Sequence, residues 1–314
     1  MGQDQGPAGR PRALSTGRVA QVVPDLPAFT VDDGFAYLAP DDLGVEVGRM
    51  VRVPLGGRRV RGYVVGLRAG PTTGLKEIAA VSGDLPVFSP RLLEVLRWCA
   101  LYYVAPLATV LGKAAPPNLP RRVQDVALPE VARGAGGPLP EVSSAAASSR
   151  RPRTHYLLGA GPWLDAIGDM AAPVLAADRS VVAVAPTLRE TLDLAAGLQR
   201  RFGARVLIGS SGLDDAVATD AWVRAASRPG HLLVGTREVA LWPVAALALA
   251  FAVEEGRRGM KDRATPTTHV REVLWQRAGV ERFGLVFLGG VPTTEVLYRG
   301  PGLARLPGRR RTWA

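Results

Sequence analysis

The sequence predicts an α/β protein of two units: a small, mostly β unit followed by a larger one built on a parallel sheet. Three observations carry this. Short apolar runs from Arg18 onward are punctuated by Gly and Pro, the texture of strands joined by tight turns. From Thr154 onward, longer apolar runs alternate with amphipathic ones, the pattern of strands buried on both faces and joined by helices. Between them, residues 121–153 hold GAGGP and SSAAASSRRPR and little apolar periodicity after VALPEV.

Residues 1–17, rich in Gly, Pro and polar side chains, are expected to be disordered. In the unit at 18–120, RVAQVV, MVRVPL and GYVVGLR read as strands, separated by VPDLPAF, LGGRR and AGPTTG. SPRLLEVLRWCALYY then reads as a helix, with Ser89 as cap and Pro90 in its first turn. Leu92, Leu93, Leu96 and Cys99 or Ala100 form its core-facing stripe. A second short helix, APLATVLGKAAP, ends at Pro116–Pro117. Residues 121–153 are expected to be a linker, flexible in its second half. In the unit at 154–300, THYLLG, SVVAVAP, ARVLIG, HLLVGT, ALALAFAV and FGLVFLGG read as strands. PWLDAIGDMAAPVLA and TLRETLDLAAGLQRRFG read as helices, the latter closed by Gly203. Residues 301–314 are expected to be a basic tail.

With 314 residues and 47% hydrophobic side chains, the chain can build two real cores. It contains no apolar stretch of membrane-spanning length, and its opening residues are polar, so a cytoplasmic location is expected. One cysteine, Cys99, excludes a disulfide framework and a four-cysteine zinc site; it reads as a core thiol. The three histidines show no metal-ligand spacing. The net charge of +11 favours a polyanionic partner, because a cationic surface releases counterions from a phosphate backbone. Arginine-rich codon usage accounts for Arg over Lys (Lys76, Lys113 and Lys261 are the only lysines) but not for the excess of positive charge.

A series of short signals follows in order: Phe35-Ala36-Tyr37-Leu38-Ala39-Pro40, Gly48-Arg49-Met50-Val51-Arg52-Val53-Pro54-Leu55-Gly56, Gly62-Tyr63-Val64-Val65-Gly66, Leu75-Lys76, and Trp98-Cys99-Ala100-Leu101-Tyr102-Tyr103-Val104-Ala105-Pro106-Leu107. This series resembles the N-terminal 3′-end-binding domain of the PriA family of replication-restart helicases (primosomal protein N′), in which the first signal is a turn. The second unit resembles the same family's first motor lobe through Ser211-Gly212-Leu213, Val234-Gly235-Thr236-Arg237, His269-Val270-Arg271-Glu272-Val273 and Gly289-Gly290-Val291-Pro292-Thr293. The resemblance implies a small, mostly β DNA-binding unit followed by a RecA-like parallel α/β lobe.

In that family the lobe uses ATP, which requires a phosphate loop with a lysine and a magnesium-holding hydroxyl. The matching turn here is Leu158-Gly159-Ala160-Gly161-Pro162-Trp163-Leu164-Asp165, with neither. Asp165 would repel phosphate, by roughly 1 kcal/mol at about 4 Å in water and ~4 kcal/mol at an effective dielectric of about 20. Val253-Glu254-Glu255-Gly256 stands where the family has Asp-Glu-Glu-His, so Gly159, Gly161, Glu254 and Glu255 read as a degenerate nucleotide site. The two glutamates read as a solvated or helix-start pair. No cofactor, no metal and no catalytic residue is expected, and the chain reads as an inactive helicase homologue.

The resemblance assigns DNA contacts to Phe35, Gly56 and Lys76, with Ala36 where the family's Asp would accept from a 3′-hydroxyl. Phe35 either stacks on a base or packs beside Tyr37; Gly56 either admits the strand end or serves a plain turn; Lys76 either meets a phosphate or is solvated. Arg52, Arg58, Arg59, Arg61 and Arg68 form either a phosphate track on one strand face or a solvated surface. Arg150, Arg151, Arg153 and Arg309 to Arg311 would add non-specific contacts. The expected function is binding of stalled or abandoned forks, including a nascent strand's 3′ end, and help in reloading the replicative helicase. The expected partners are DNA and primosome or helicase-loading proteins, with nucleoid association and with neither membrane nor zinc. Three other readings stay open: an ATPase completed by another chain, a primosome scaffold that barely touches DNA, and a methyltransferase using Gly159–Gly161. The last is opposed by the absence of an acidic residue at the end of the strand Val184-Ala185-Pro186-Thr187.

Overall fold

The computed structural model describes residues 16–116, 119, 127–148, 150 and 153–306. The first unit contains β1 (Thr16–Pro24), β2 (Phe35–Leu38), β3 (Met50–Leu55), β4 (Arg58–Pro71) and β5 (Ala80–Ser82), all antiparallel in the order β2-β1-β4-β3-β5. Two helices follow, α1 (Pro90–Tyr102) and α2 (Leu107–Ala114). The first strand begins at Thr16, two residues before the expected boundary, and residues 1–15 lie outside the described part. Phe35–Leu38 is a strand rather than a turn, because it pairs with Val19–Val22 of β1. The Gly/Pro segments at LGGRR and AGPTTG are partly absorbed into β4, which takes in Arg58, Arg59 and Ala69–Pro71. Only Gly56 and Gly57, both at positive φ, form the two-residue turn from β3 to β4, a conformation that side chains with a Cβ resist.

The five strands close on themselves. Leu38 N–H donates to Lys76 O (2.9 Å), Ile78 N–H to Leu38 O (3.0 Å) and Ala79 N–H to Arg52 O (2.9 Å), so residues 76–79 bridge the two sheet edges. Val22, Tyr37, Val51, Val53, Val64 and Ile78 fill the interior of this small barrel. Closing the sheet removes edges that would otherwise offer unpaired backbone groups. Ser89 caps α1 as expected, accepting from Leu92 N–H at 3.1 Å, and Cys99 is buried. Burial pushes its thiol up to about 12, which keeps it protonated and inert.

The second unit begins earlier than the sequence indicates. Pro140–Ala147, within the expected linker, is helix α3, with Leu139, Val142 and Ala146 buried. The alanine run has high helix propensity, and positions 139, 142 and 146 make one apolar stripe against the larger core. The remaining elements are β6 (His155–Leu158), α4 (Leu164–Ala176), β7 (Ser180–Val184), α5 (Leu188–Phe202), β8 (Val206–Gly209), α6 (Asp215–Ser227), β9 (Leu232–Gly235), β10 (Leu247–Val253), α7 (Val270–Glu281), β11 (Gly284–Gly289), α8 (Thr294–Tyr298) and β12 (Gly302–Arg305). The seven strands are parallel, in the order β12-β6-β11-β10-β7-β9-β8. Every residue of β7, β9, β10 and β11 is buried, as a sheet covered on both faces requires. Strand β12 is a correction: part of the expected basic tail adds an edge strand beside β6. Residues 307–314, with Arg309 to Arg311, lie outside the described residues, as do Pro117 and Arg151.

The two units share a core. One apolar cluster runs from Tyr63, Phe88, Leu96 and Leu111 into Trp222, Leu241, Leu274 and Phe287. Polar contacts fix the seam: Trp222 Nε1–H donates to Ala114 O (2.8 Å), His269 N–H donates to the Tyr103 hydroxyl (3.0 Å), and Lys113 pairs with Asp262.

Candidate nucleic-acid interface

Three segments that carry the resemblance meet at one end of the barrel. The Tyr37 hydroxyl donates to Pro54 O at 3.2 Å, which ties β2 to the strand leading into the Gly56–Gly57 turn. The parallel register Leu38↔Glu77 lays Lys76 beside Tyr37. Phe35 is 40% exposed while Tyr37 is 3% exposed, so Phe35 presents its ring to solvent rather than packing in the core beside Tyr37. An exposed aromatic face suits the sequence-tolerant stacking of an unpaired base. Ala36 offers no acceptor at this end.

The arginines are exposed, but they do not form one track. Arg52 lies directly opposite Arg61, and Arg59 is two residues from Arg61, so these three share one face of the β3–β4 ladder. Arg58, at the alternate position opposite Leu55, belongs to the other side. Among the described residues no ion pair involves Arg52, Arg58, Arg59, Arg68 or Lys76; Arg61 pairs with Asp25 at 3.0 Å. Arg150 and Arg153 are exposed as well.

Away from the barrel, the turn between β6 and α4 carries Gly159 and Gly161. It offers a triphosphate neither cation nor hydroxyl, and Asp165 sits in the first turn of α4. The loop is also crowded by its own chain. A Cβ on Gly159 would lie 3.0 Å from Leu306 and 3.5 Å from the Trp163 ring. These residues do not fit an ATP–magnesium pair. The expectation that Glu254 and Glu255 are a solvated or helix-start pair is overturned for Glu255, whose side chain is 0% exposed. It receives Arg271 Nη1–H at 3.0 Å, Thr293 N–H at 2.8 Å and Thr293 Oγ1–H at 3.1 Å. Arg271 also bonds Glu272 at 2.9 Å, and Glu272 pairs with Arg299. Burial works against the Arg271 charge, but the bonds to Glu272 and Glu255 outweigh it and hold its pKa above the ordinary value. Arg271 and Thr293 stand inside quoted motifs, yet nothing in their spacing announces that they neutralise Glu255. Glu254 adopts φ 52° and its N–H donates to Leu288 O at 2.6 Å. Among the described residues no group of three His, Cys, Asp or Glu is placed to hold a metal, and no helix is long and apolar enough to cross a membrane.

Comparison with known proteins bears on the barrel most directly. A family model for PriA, described as 3′ DNA-binding domain (3′BD), matches residues 21–116. The replication restart protein PriA of Treponema pallidum is 26% identical over 311 residues, covering 91% of this chain and 46% of that protein. The probable replication restart protein PriA of Mycobacterium tuberculosis is 26% identical over 283 residues, covering 84% of this chain and 43% of that protein. The Haemophilus influenzae replication restart protein PriA is 35% identical over 105 residues, 32% of this chain and 14% of that protein. The chain thus spans a little under half the length of the first two relatives. Among solved structures, a DEAD box protein from Methanococcus jannaschii aligns with a TM-score of 0.37 at 8% identity, covering 52% of this chain and 47% of that one. Residues 21–116 match the family model of the PriA 3′ DNA-binding domain, and most of the chain is similar to replication restart proteins named PriA.

Proposed function

We propose that this protein binds forked DNA at stalled or abandoned replication forks through its barrel, and helps reload the replicative helicase without unwinding DNA itself. The observation that carries the reading is a match to the PriA 3′ DNA-binding model over a barrel in which the segments holding Phe35, Gly56 and Lys76 are tied together through Tyr37 and Leu38. Unneutralised arginines on the same barrel supply sequence-independent attraction to phosphates. The absence of ATP turnover is supported by the lysine-free turn at Gly159–Gly161 and by the engagement of Glu255 with Arg271 and Thr293. On this reading the protein acts in the cytoplasm on the nucleoid, and its protein partners are those that load the helicase at forks.

The test is fluorescence anisotropy with fork DNA, with and without a free 3′-hydroxyl, across a salt series, together with a phosphate-release assay. The expected result is fork binding at low salt that weakens steeply as salt rises, a preference of less than about 3-fold for the free 3′ end because Ala36 accepts no hydrogen bond, and no DNA-stimulated ATP hydrolysis. Indifference to forks at low salt would overturn the binding reading, and hydrolysis stimulated by DNA would overturn the non-catalytic one.

A further inference from the structure

A cleft of about 420 Å³ opens between the barrel and the α/β unit, away from the barrel end and from the Gly159 turn. Its lobe side is built from residues that follow successive parallel strands: Ser210 after β8, Arg237 and Glu238 after β9, and Asp262 and Thr268 after β10. The carboxyl edge of an open parallel sheet is where such folds receive ligands. Met50, Tyr63, Leu241 and Trp242 give the cleft an apolar, aromatic floor, contributed by both units.

Two polar groups on its wall have unused capacity. Tyr63 is 2% exposed, and among the described residues its hydroxyl has no hydrogen-bond partner, although Gly112, Asp25 and Arg61 surround it. Arg237 Nε is buried and makes no hydrogen bond; Asp262 Oδ1 lies 3.5 Å away without the alignment of one. A buried polar atom without a hydrogen bond, as Arg237 Nε is, calls for an explanation, and a ligand is one.

The charge on the walls narrows its chemistry. The cations on the walls are already paired, Arg61 with Asp25, Lys113 with Asp262 and Arg237 with Glu238, so the cleft offers no free cation to a compact anion. What it accommodates is a neutral planar ring with donors and acceptors on its edge. Arg61 belongs to the face that carries Arg52 and Arg59, so a phosphate backbone held there would run past the cleft mouth. We propose that the cleft receives an unpaired nucleobase, drawn from a single strand whose backbone lies on the Arg52–Arg59–Arg61 face. This inference rests on the DNA-binding reading above.

The test uses the full chain and a duplex with a single-stranded tail, compared with the same duplex carrying abasic residues in the tail. The natural tail is expected to bind about 10-fold more tightly, since stacking and edge hydrogen bonds need a base. Tyr63→Phe, which keeps the ring and removes the hydroxyl, should reduce that ratio to about 3-fold or less while leaving the abasic affinity unchanged. Ser211→Trp, at the exposed rim, should abolish the ratio by filling the cleft without touching the core. Titration of the protein with free thymidine, followed by tryptophan emission, separates a base held only within a strand from a site that also takes nucleosides from solution; saturable quenching in wild type and not in Ser211→Trp supports the latter form. Equal affinity for natural and abasic tails overturns the base site while leaving fork binding intact. Failure to bind either tail at low salt overturns the DNA-binding reading itself. Equal weakening of both DNAs by Tyr63→Phe assigns the hydroxyl to the fold and overturns its role as a base contact.

Discussion

The barrel and the α/β unit use charge in opposite ways. On the barrel, Arg52, Arg58, Arg59 and Lys76 stand exposed with no carboxylate partner among the described residues. Around Glu255 and in α7 of the α/β unit the charges are turned inward and consumed: Arg271 holds Glu255 and Glu272, Arg299 adds to Glu272, and buried Arg277 pairs with Glu281. Open cations attract a polyanion at long range, whereas a buried, fully bonded carboxylate has little left to give a metal or a water. The barrel face keeps its charge available, and the cluster around Glu255 converts its own into structure.

The largest effect should come from cutting the inward network. Arg271→Ala leaves Glu255 buried and short of its cation, and a loss of about 3–5 kcal/mol is expected in denaturant unfolding. Glu255→Gln combined with Arg271→Met should cost clearly less, because no charge is stranded. If Arg271→Ala costs under about 1 kcal/mol, the contrast between the two regions is false.

The next effect concerns acid. His231 is buried just before β9, and burial lowers its pKa to about 4. The folded pKa lies below the unfolded one, so the unfolded chain binds the extra proton between those values. Stability should therefore be level above about pH 6.5 and fall as the pH drops toward 4, by about 3 kcal/mol at the most from this group. His231→Gln should flatten that part of the profile, while the exposed barrel arginines, which carry no proton switch in this range, leave it unchanged. A profile that His231→Gln does not alter would remove the histidine from the account.

The smallest effects belong to the open side and sharpen the comparison. Arg52→Ala and Arg59→Ala should each reduce the slope of log affinity against log salt by about 1, with melting temperatures held. Phe35→Ala should weaken single-strand binding by about 1–3 kcal/mol, with the salt slope unchanged, because stacking releases no counterion. A fall in folding stability for any of the three would mean that these side chains belong to the core rather than to the surface.

Much of this architecture is legible in the sequence because local signals agree with it. The Ser89–Pro90 cap, the Leu92–Leu96 stripe and the apolar runs of β7, β10 and β11 all state their structure in short windows. Other elements escape for physical reasons. Helix α7 buries Arg271, Glu272 and Arg277, so its inward face does not read as apolar. Helix α3 hides in an Ala/Ser composition that also describes linkers, and only packing against the larger core decides between them. Barrel closure depends on Leu38 meeting residues 76–78, a pairing no window of sequence contains. The site divides the same way. Phe35, Gly56 and Lys76 are candidates that motif order alone puts forward, but the pairing of Arg61 with Asp25 and the burial of Glu255 exist only once distant segments fold together.

The seam that joins α1 and α2 to the second unit bears on how the protein can be dissected. A homology boundary at residue 116 falls beside a surface that the fold keeps dry: Ala114 O receives the Trp222 indole, the Tyr103 hydroxyl receives His269 N–H, and Lys113 finds its counter-ion in Asp262. Excision there would strip partners from both pieces at once and leave sticky, half-wetted surfaces on each. What is a detachable module in the alignment is, in three dimensions, the outer layer of a single larger body.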